Sequence, residues 1–113
     1  MINTLHSKIS AIEYYLPKTC ETNNDLELEN PDWRMDDIVL KTGIHKRWIS
    51  SADETAVDLA FNACKKIIQR CGDDFDTLIL VTQSPDYFLL TSACVLQDML
   101  GLSSKVKCFD INL

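Results

Sequence analysis

The chain has 113 residues, 46% hydrophobic and 25% charged, the proportions of an ordinary globular protein, which exclude a disordered or low-complexity polymer. Its 11 basic and 17 acidic residues leave a net charge of -6, which argues against a nucleic-acid partner because phosphate binding needs concentrated positive charge. No apolar run approaches the ~20 residues of a membrane span, and the start Met1–Ser7 has neither the charged nor the apolar stretch of a signal peptide, so a cytoplasmic protein with no membrane partner is expected.

Ile9 to Leu16 alternates weakly between apolar or small and polar positions and stops at Pro17, as a first strand would. Thr22-Asn23-Asn24-Asp25 is dense in side chains that accept from free backbone N–H groups, so a short helix carrying Leu26 and Leu28 should begin there. Asn30-Pro31-Asp32 breaks it. A second short helix over Asp36 to Lys41 should bring Ile38, Val39 and Leu40 inward and end at Gly43, whose backbone is permissive. Around that end Lys41, His45, Lys46 and Arg47 form a basic island in an acidic chain. It could receive a phosphorylated small molecule; the plainer reading is a solvated loop.

Ser51-Ala52-Asp53-Glu54 has the form of a capping box. Behind it Ala56, Ala60, Ala63 and Ile67, with Leu59, Cys64, Ile68 and Cys71 beside them, recur at helical spacing up to Gly72, predicting a helix of about five turns. Its alanines suggest close packing on a sheet, with Lys65, Lys66 and Arg70 on the outer face. Thr77 to Thr82 is a continuous β-branched and apolar run, the pattern of a strand covered on both faces. With the first strand and a crossover helix it would make a right-handed βαβ unit.

After the loop Gln83 to Leu89, a helix from about Thr91 to Gly101 should carry Ala93, Leu96, Met99 and Leu100. Lys105 to Leu113 closes the chain with Val106, Cys108, Phe109, Ile111 and Leu113, read as a buried strand. In α/β sheets the chemistry collects where strands end and the next turn enters a helix. The fold class is therefore α/β, ordered β-α-α-β-α-β, with a mixed or parallel sheet covered by helices.

Cys20, Cys64, Cys71, Cys94 and Cys108 are odd in number, without C-x-x-C spacing or clustered histidines, which favours reduced thiols over a disulfide frame or a zinc site. Cys94 falls in the first turn of a predicted helix, where the dipole lowers a thiol pKa. Its apolar neighbours Leu90 and Leu96 point instead to a core position.

Tyr15-Leu16-Pro17, Thr22-Asn23 with Asp25-Leu26, Lys41-Thr42-Gly43-Ile44 followed by Arg47 and Ile49, Glu54-Thr55, Ser92-Ala93-Cys94 with Gln97 and Met99-Leu100-Gly101, and Phe109-Asp110-Ile111-Asn112 follow one another in a single register. Together they resemble the opening third of the β-ketoacyl-acyl carrier protein synthase III family. The resemblance implies a thiolase-like fold, with residues 1–113 as an incomplete N-terminal domain whose C-terminal half is absent. It also implies a homodimer and a decarboxylative Claisen condensation between an acyl primer and malonyl carrier protein. No cofactor is implied; coenzyme A or phosphopantetheine thioesters enter as substrates, and acyl carrier protein as partner.

Counting along this register places the family's nucleophilic cysteine two positions beyond Leu113, at the head of a helix, and its histidine and asparagine later still. No residue of the 113 is then a catalytic candidate, and His6 and His45 are not substitutes. The family's coenzyme A-contacting motif matches at Thr42, with Lys41 where an arginine is common, so both are candidates for the pantetheine or phosphate end of the donor. The tryptophan that stacks on adenine in the family falls at Asp37, and Trp33 is the nearest replacement. That departure leaves room for a primer carried by a carrier protein. The aromatic that reaches into the partner's acyl tunnel falls at Leu89, whose smaller side chain suggests longer or bulkier primers. Two other readings are a non-catalytic partner subunit of the same fold and a free-standing α/β binding module. A chain of this length is also expected to leave apolar sheet faces and an edge strand open, and so to oligomerise.

Overall fold

The computed structural model describes residues 7–87 and 89–112, so the expectations placed on His6 and Leu113 lie outside it. Residues 16–55 form one compact unit, and residues 7–15 with 56–112 form another.

In the smaller unit β1 (Thr19–Thr22) pairs antiparallel with β2 (Lys46–Ile49), Thr19 opposite Ile49 and Thr22 opposite Lys46. Between them lie α1 (Asn23–Glu29) and α2 (Met35–Thr42). The predicted start of α1 is present in full: the Thr22 hydroxyl accepts from the Asp25 N–H at 3.2 Å and the Asp25 carboxylate accepts from the Thr22 N–H at 2.8 Å, a capping box that satisfies two helix-start donors. The Thr22 hydroxyl also donates to the Asp25 carboxylate at 2.7 Å, and this bond, followed by the one from the Thr22 N–H, holds the Asp25 carboxyl below its usual value of 3.8. In α2 the inward side is Met35 with Ile38 and Val39 three and four positions on; Leu40 and, in α1, Leu28 point to solvent, a correction that follows from the ~100° step between helical neighbours. Gly43 ends α2 at φ +70°, where a side chain would be strained. The basic island is not a plain loop, since Lys46 and Arg47 belong to β2. Strands this short carry too few residues for an alternation to be read.

In the larger unit β3 (Thr77–Thr82) pairs parallel with β4 (Lys107–Asn112), in register from Thr77 and Lys107 to Thr82 and Asn112. α4 (Ser92–Met99) connects them, so the βαβ unit is β3-α4-β4. The expected first strand is absent: residues 9–16 carry no strand. A strand exists only as one side of a hydrogen-bonded ladder. Here Tyr14 and Glu13 instead accept from α3 (Ala56–Cys71), through Lys66 Nζ to the Tyr14 carbonyl at 2.8 Å and Arg70 to the Glu13 carboxylate at 2.7 Å. Lys66 also lies 5.6 Å from the Tyr14 ring centroid.

α3 begins at Ala56, five residues after Ser51. The proposed box is a turn in which the Ser51 hydroxyl bonds the Asp53 carboxylate and, with the Asp53 backbone N–H, lowers its pKa. Val57 is the buried residue of α3 and Cys71 is exposed. The principal neighbour of α3 among the described elements is α4. Val57, Ala93, Leu96 and Val106 make the core of this unit.

Among the described residues, β3 and β4 are covered on one face only. Leu78, Leu80, Cys108 and Asp110 are half-buried, whereas Ile79 (50%), Val81 (57%), Phe109 (45%) and Ile111 (43%) are exposed on the other. A continuous apolar run reports that both faces of a strand are apolar; it does not supply the second cover.

Candidate functional site

Ligands of open α/β sheets bind beyond the carboxyl ends of parallel strands. At that end of β3 and β4 lies a cavity of about 300 Å³, walled by Tyr87, Leu89, Leu90 and Thr91 from the loop after β3 and by Phe109, Asp110 and Asn112 from β4. Leu89, nominated from sequence, is fully exposed at 101% and stands in this wall.

Asp110 ties the wall together. Its two carboxylate oxygens accept from the backbone N–H groups of Ser92 and Ala93, each at 2.7 Å. These are the first two residues of α4, and Thr91, the residue before them, makes no side-chain cap. A carboxylate from β4 therefore does the capping across 17 and 18 positions of sequence. Sequence reasoning did not single out Asp110. The signal was there, because an aspartate inside an apolar strand is a buried polar group in need of donors.

Cys94 is exposed and not in the core. Ala93 and Leu96 occupy the buried stripe of α4, and the next position along falls ~100° around the helix. It does not line the cavity. On β4, burial and then the neighbouring Cys94 push the Cys108 thiol up, the opposite of what a nucleophile needs. Among the described residues no group of three His, Cys, Asp or Glu is placed to hold a metal ion, and no helix is long and apolar enough to cross a membrane.

The other nominated residues, Lys41 and Thr42, belong to the smaller unit. Lys41 is exposed in the last turn of α2. The Thr42 hydroxyl donates to the Ile38 carbonyl at 2.6 Å and accepts from the Ile44 N–H at 3.1 Å, which leaves it one lone pair for a ligand. Arg47 is turned inward: it donates to Asn23 Oδ1 at 2.8 Å and pairs with Glu21 at 3.7 Å. Asn23, 8% exposed, also donates from its side chain to the Ile44 carbonyl at 2.9 Å and from its backbone to the His45 carbonyl at 3.1 Å. The exposed cations of the island are thus Lys41 and Lys46, the latter 5.5 Å from the Trp48 ring centroid. Trp33 is half-exposed, and Asp37 is paired with Arg34 at 3.2 Å. A hollow of about 370 Å³ between α1 and α2 presents Glu27 and Asp36 with His45, so its charge does not suit a phosphate.

No protein-family model matches the chain. Its sequence is 36% identical over 115 residues to the β-ketoacyl-acyl carrier protein synthase III of Helicobacter hepaticus, covering 96% of this chain and 33% of that protein. It is 39% identical over 113 residues to the protein of the same name from Clostridium perfringens, covering 95% and 33%. The fold superposes on a crystal structure of a 3-oxoacyl-(acyl-carrier-protein) synthase III with a TM-score of 0.83 and 42% identity, over 93% of this chain and 32% of the other. The chain is homologous to synthase III. It spans about a third of the length of these relatives, and its α/β fold is a partial thiolase-like domain. Within this synthase III homologue, Leu89 and Asp110 share one cavity wall, whereas Lys41 and Thr42 share the end of α2.

Proposed function

We propose that the chain is the N-terminal part of a 3-oxoacyl-acyl carrier protein synthase III-like acyltransferase of the cytoplasm, acting as a homodimer. The observation that carries this reading is similarity along nearly the whole chain to proteins named as synthases, which favours a catalyst over a non-catalytic partner. A cysteine thiolate attacks the primer thioester, the carbon–sulfur bond breaks, and the donor thiol leaves with a proton. Malonyl carrier protein then loses carbon dioxide; the resulting carbanion attacks the acyl-enzyme and releases the cysteine. In the synthase III register the nucleophile lies two positions past Leu113, and the histidine and asparagine that stabilise developing charge lie further on.

The described residues serve binding. Lys41 meets a donor phosphate as a point charge and Thr42 the pantetheine arm. Leu89 reaches into the acyl tunnel of the partner in the dimer and, being smaller than an aromatic, admits longer primers. Asp37 in place of a stacking tryptophan weakens the hold on adenine, which favours primers delivered on a carrier protein over coenzyme A.

The test is to read the coding frame beyond Leu113 and to assay the purified protein with malonyl carrier protein and donors of graded length. A cysteine two positions on, with β-ketoacyl product formed, is the expected result; another residue there, with no condensation, refutes the proposal. Leu89→Phe should lower kcat/KM for an octanoyl donor about tenfold relative to acetyl, the scale of filling a hydrophobic pocket by a few methylenes.

A further inference from the structure

Phe61, Lys65, Ile68 and Gln69 recur at helical spacing along one side of α3. Across from them Met99 ends α4 and Leu100 follows it. Together these residues wall an open groove of about 290 Å³ that lies wholly within the larger unit. Phe61, Ile68 and Leu100 are half-buried in its floor and Met99 is exposed at its side. Among the described residues no lining side chain is acidic, in a chain with 17 acidic residues. The groove is therefore an apolar trough whose one charge is the Lys65 ammonium.

The other cations of this stretch of α3 are committed elsewhere, Lys66 to the Tyr14 carbonyl at 2.8 Å and Arg70 to the Glu13 carboxylate at 2.7 Å. Lys65 is exposed, and among the described residues its ammonium meets only the Phe61 ring, with the centroid 5.9 Å away. A ring face attracts the ammonium to the rim of the trough but accepts none of its N–H groups in a strong bond, so all three stay available to an anion. We infer that the groove between α3 and α4 is a binding site for a linear medium-chain carboxylate, a free fatty acid whose tail lies along Phe61, Ile68, Met99 and Leu100 and whose head meets Lys65. The volume holds about ten groups of water's size at ~30 Å³ each, which suits a tail of about eight to ten carbons. The inference does not rest on the proposed synthase activity, because it uses neither a thioester nor a reacting atom.

The experiment labels the methionine methyl groups with carbon-13 and titrates the purified protein by NMR with hexanoate, octanoate, decanoate and decanol. Met99 lines the groove, whereas buried Met35 lies in the other unit and serves as the control; Met99→Leu assigns the signal. The Met99 methyl should move saturably with decanoate, at a Kd on the order of 1 mM, while Met35 stays still. Affinity should rise about twofold for each added methylene, as expected for a tail that is partly covered. Decanol, with the same tail and no charge, should bind at least about fivefold more weakly. Lys65→Gln should weaken decanoate by a similar factor and leave decanol unchanged, and Lys65→Arg should restore it; if the glutamine variant does not fold, the comparison of decanoate with decanol on the wild-type protein decides. A Met99 signal that does not saturate, that moves no more than Met35, or that responds equally to decanoate and decanol overturns the inference. So does a Met99 signal that shifts with protein concentration alone, which would put a second copy in the groove, or one that shifts with phosphatidylglycerol vesicles and not with decanoate, which would make it a membrane contact. All these readings are independent of whether the protein condenses acyl groups.

Discussion

Asn23→Ala should cost the smaller unit about 2–4 kcal/mol. The side chain is buried, accepts from the Arg47 guanidinium at 2.8 Å and donates to the Ile44 carbonyl at 2.9 Å. The first bond involves a charge, for which ~1.5–3 kcal/mol is usual, and the second is neutral, for which ~1 kcal/mol is usual. Alanine is the better helix former by ~0.5 kcal/mol at most, which offsets little. Both tryptophans of the chain, Trp33 and Trp48, lie within residues 16–55, so urea unfolding followed by tryptophan fluorescence reads this unit directly. A double-mutant cycle with Arg47→Met should return a coupling of at least ~1 kcal/mol, as expected for groups in direct contact. A loss under ~0.5 kcal/mol, or additivity within ~0.3 kcal/mol, would show that the Asn23–Arg47–Ile44 cluster does not hold α1 to β2.

Leu96, 1% exposed, should cost about 2–5 kcal/mol on truncation to alanine, against under ~0.5 kcal/mol for exposed Leu40; equal losses in a denaturation series would contradict the assigned core. Asp25 has a lowered pKa because it bonds Thr22, so its contribution to α1 is present above the unfolded-state value and disappears as pH falls through the lower folded value. An NMR titration should place the Asp25 carboxyl below 3.8 and move it up in Thr22→Val, and no movement would mean that the box is not formed. Iodoacetamide followed by peptide mass mapping should label exposed Cys94 before half-buried Cys108, with Cys108 needing a higher pH because its thiol is pushed up. Equal rates at neutral pH would reverse that assignment.

Local chemistry was legible in the amino-acid order. Thr22 with Asp25 announces a helix start because hydroxyl and carboxylate satisfy N–H groups three residues away, and Gly43 announces a stop because φ near +70° favours a residue without Cβ. The run Thr77–Thr82 and the helix after Thr91 were equally plain, the first as an unbroken β-branched and apolar stretch and the second from its apolar residues. The register of motifs that pointed to synthase III is likewise a property of residue order, and the matched relatives agree with it.

What the order of residues could not decide was partnership. Ile9–Leu16 has a strand's composition but no ladder beside it among the described strands, and Thr77–Thr82 has two apolar faces but one cover. Ser51 and Glu54 match a capping box, yet Ser51 bonds Asp53 in a turn before the helix. Asp110 finds its donors 17 and 18 residues back, and Asn23 finds Arg47 24 residues ahead. Short-range hydrogen bonds are constrained by the covalent chain and so can be read from spacing. Long-range ones depend on which surfaces meet, and only the packed tertiary structure settles that.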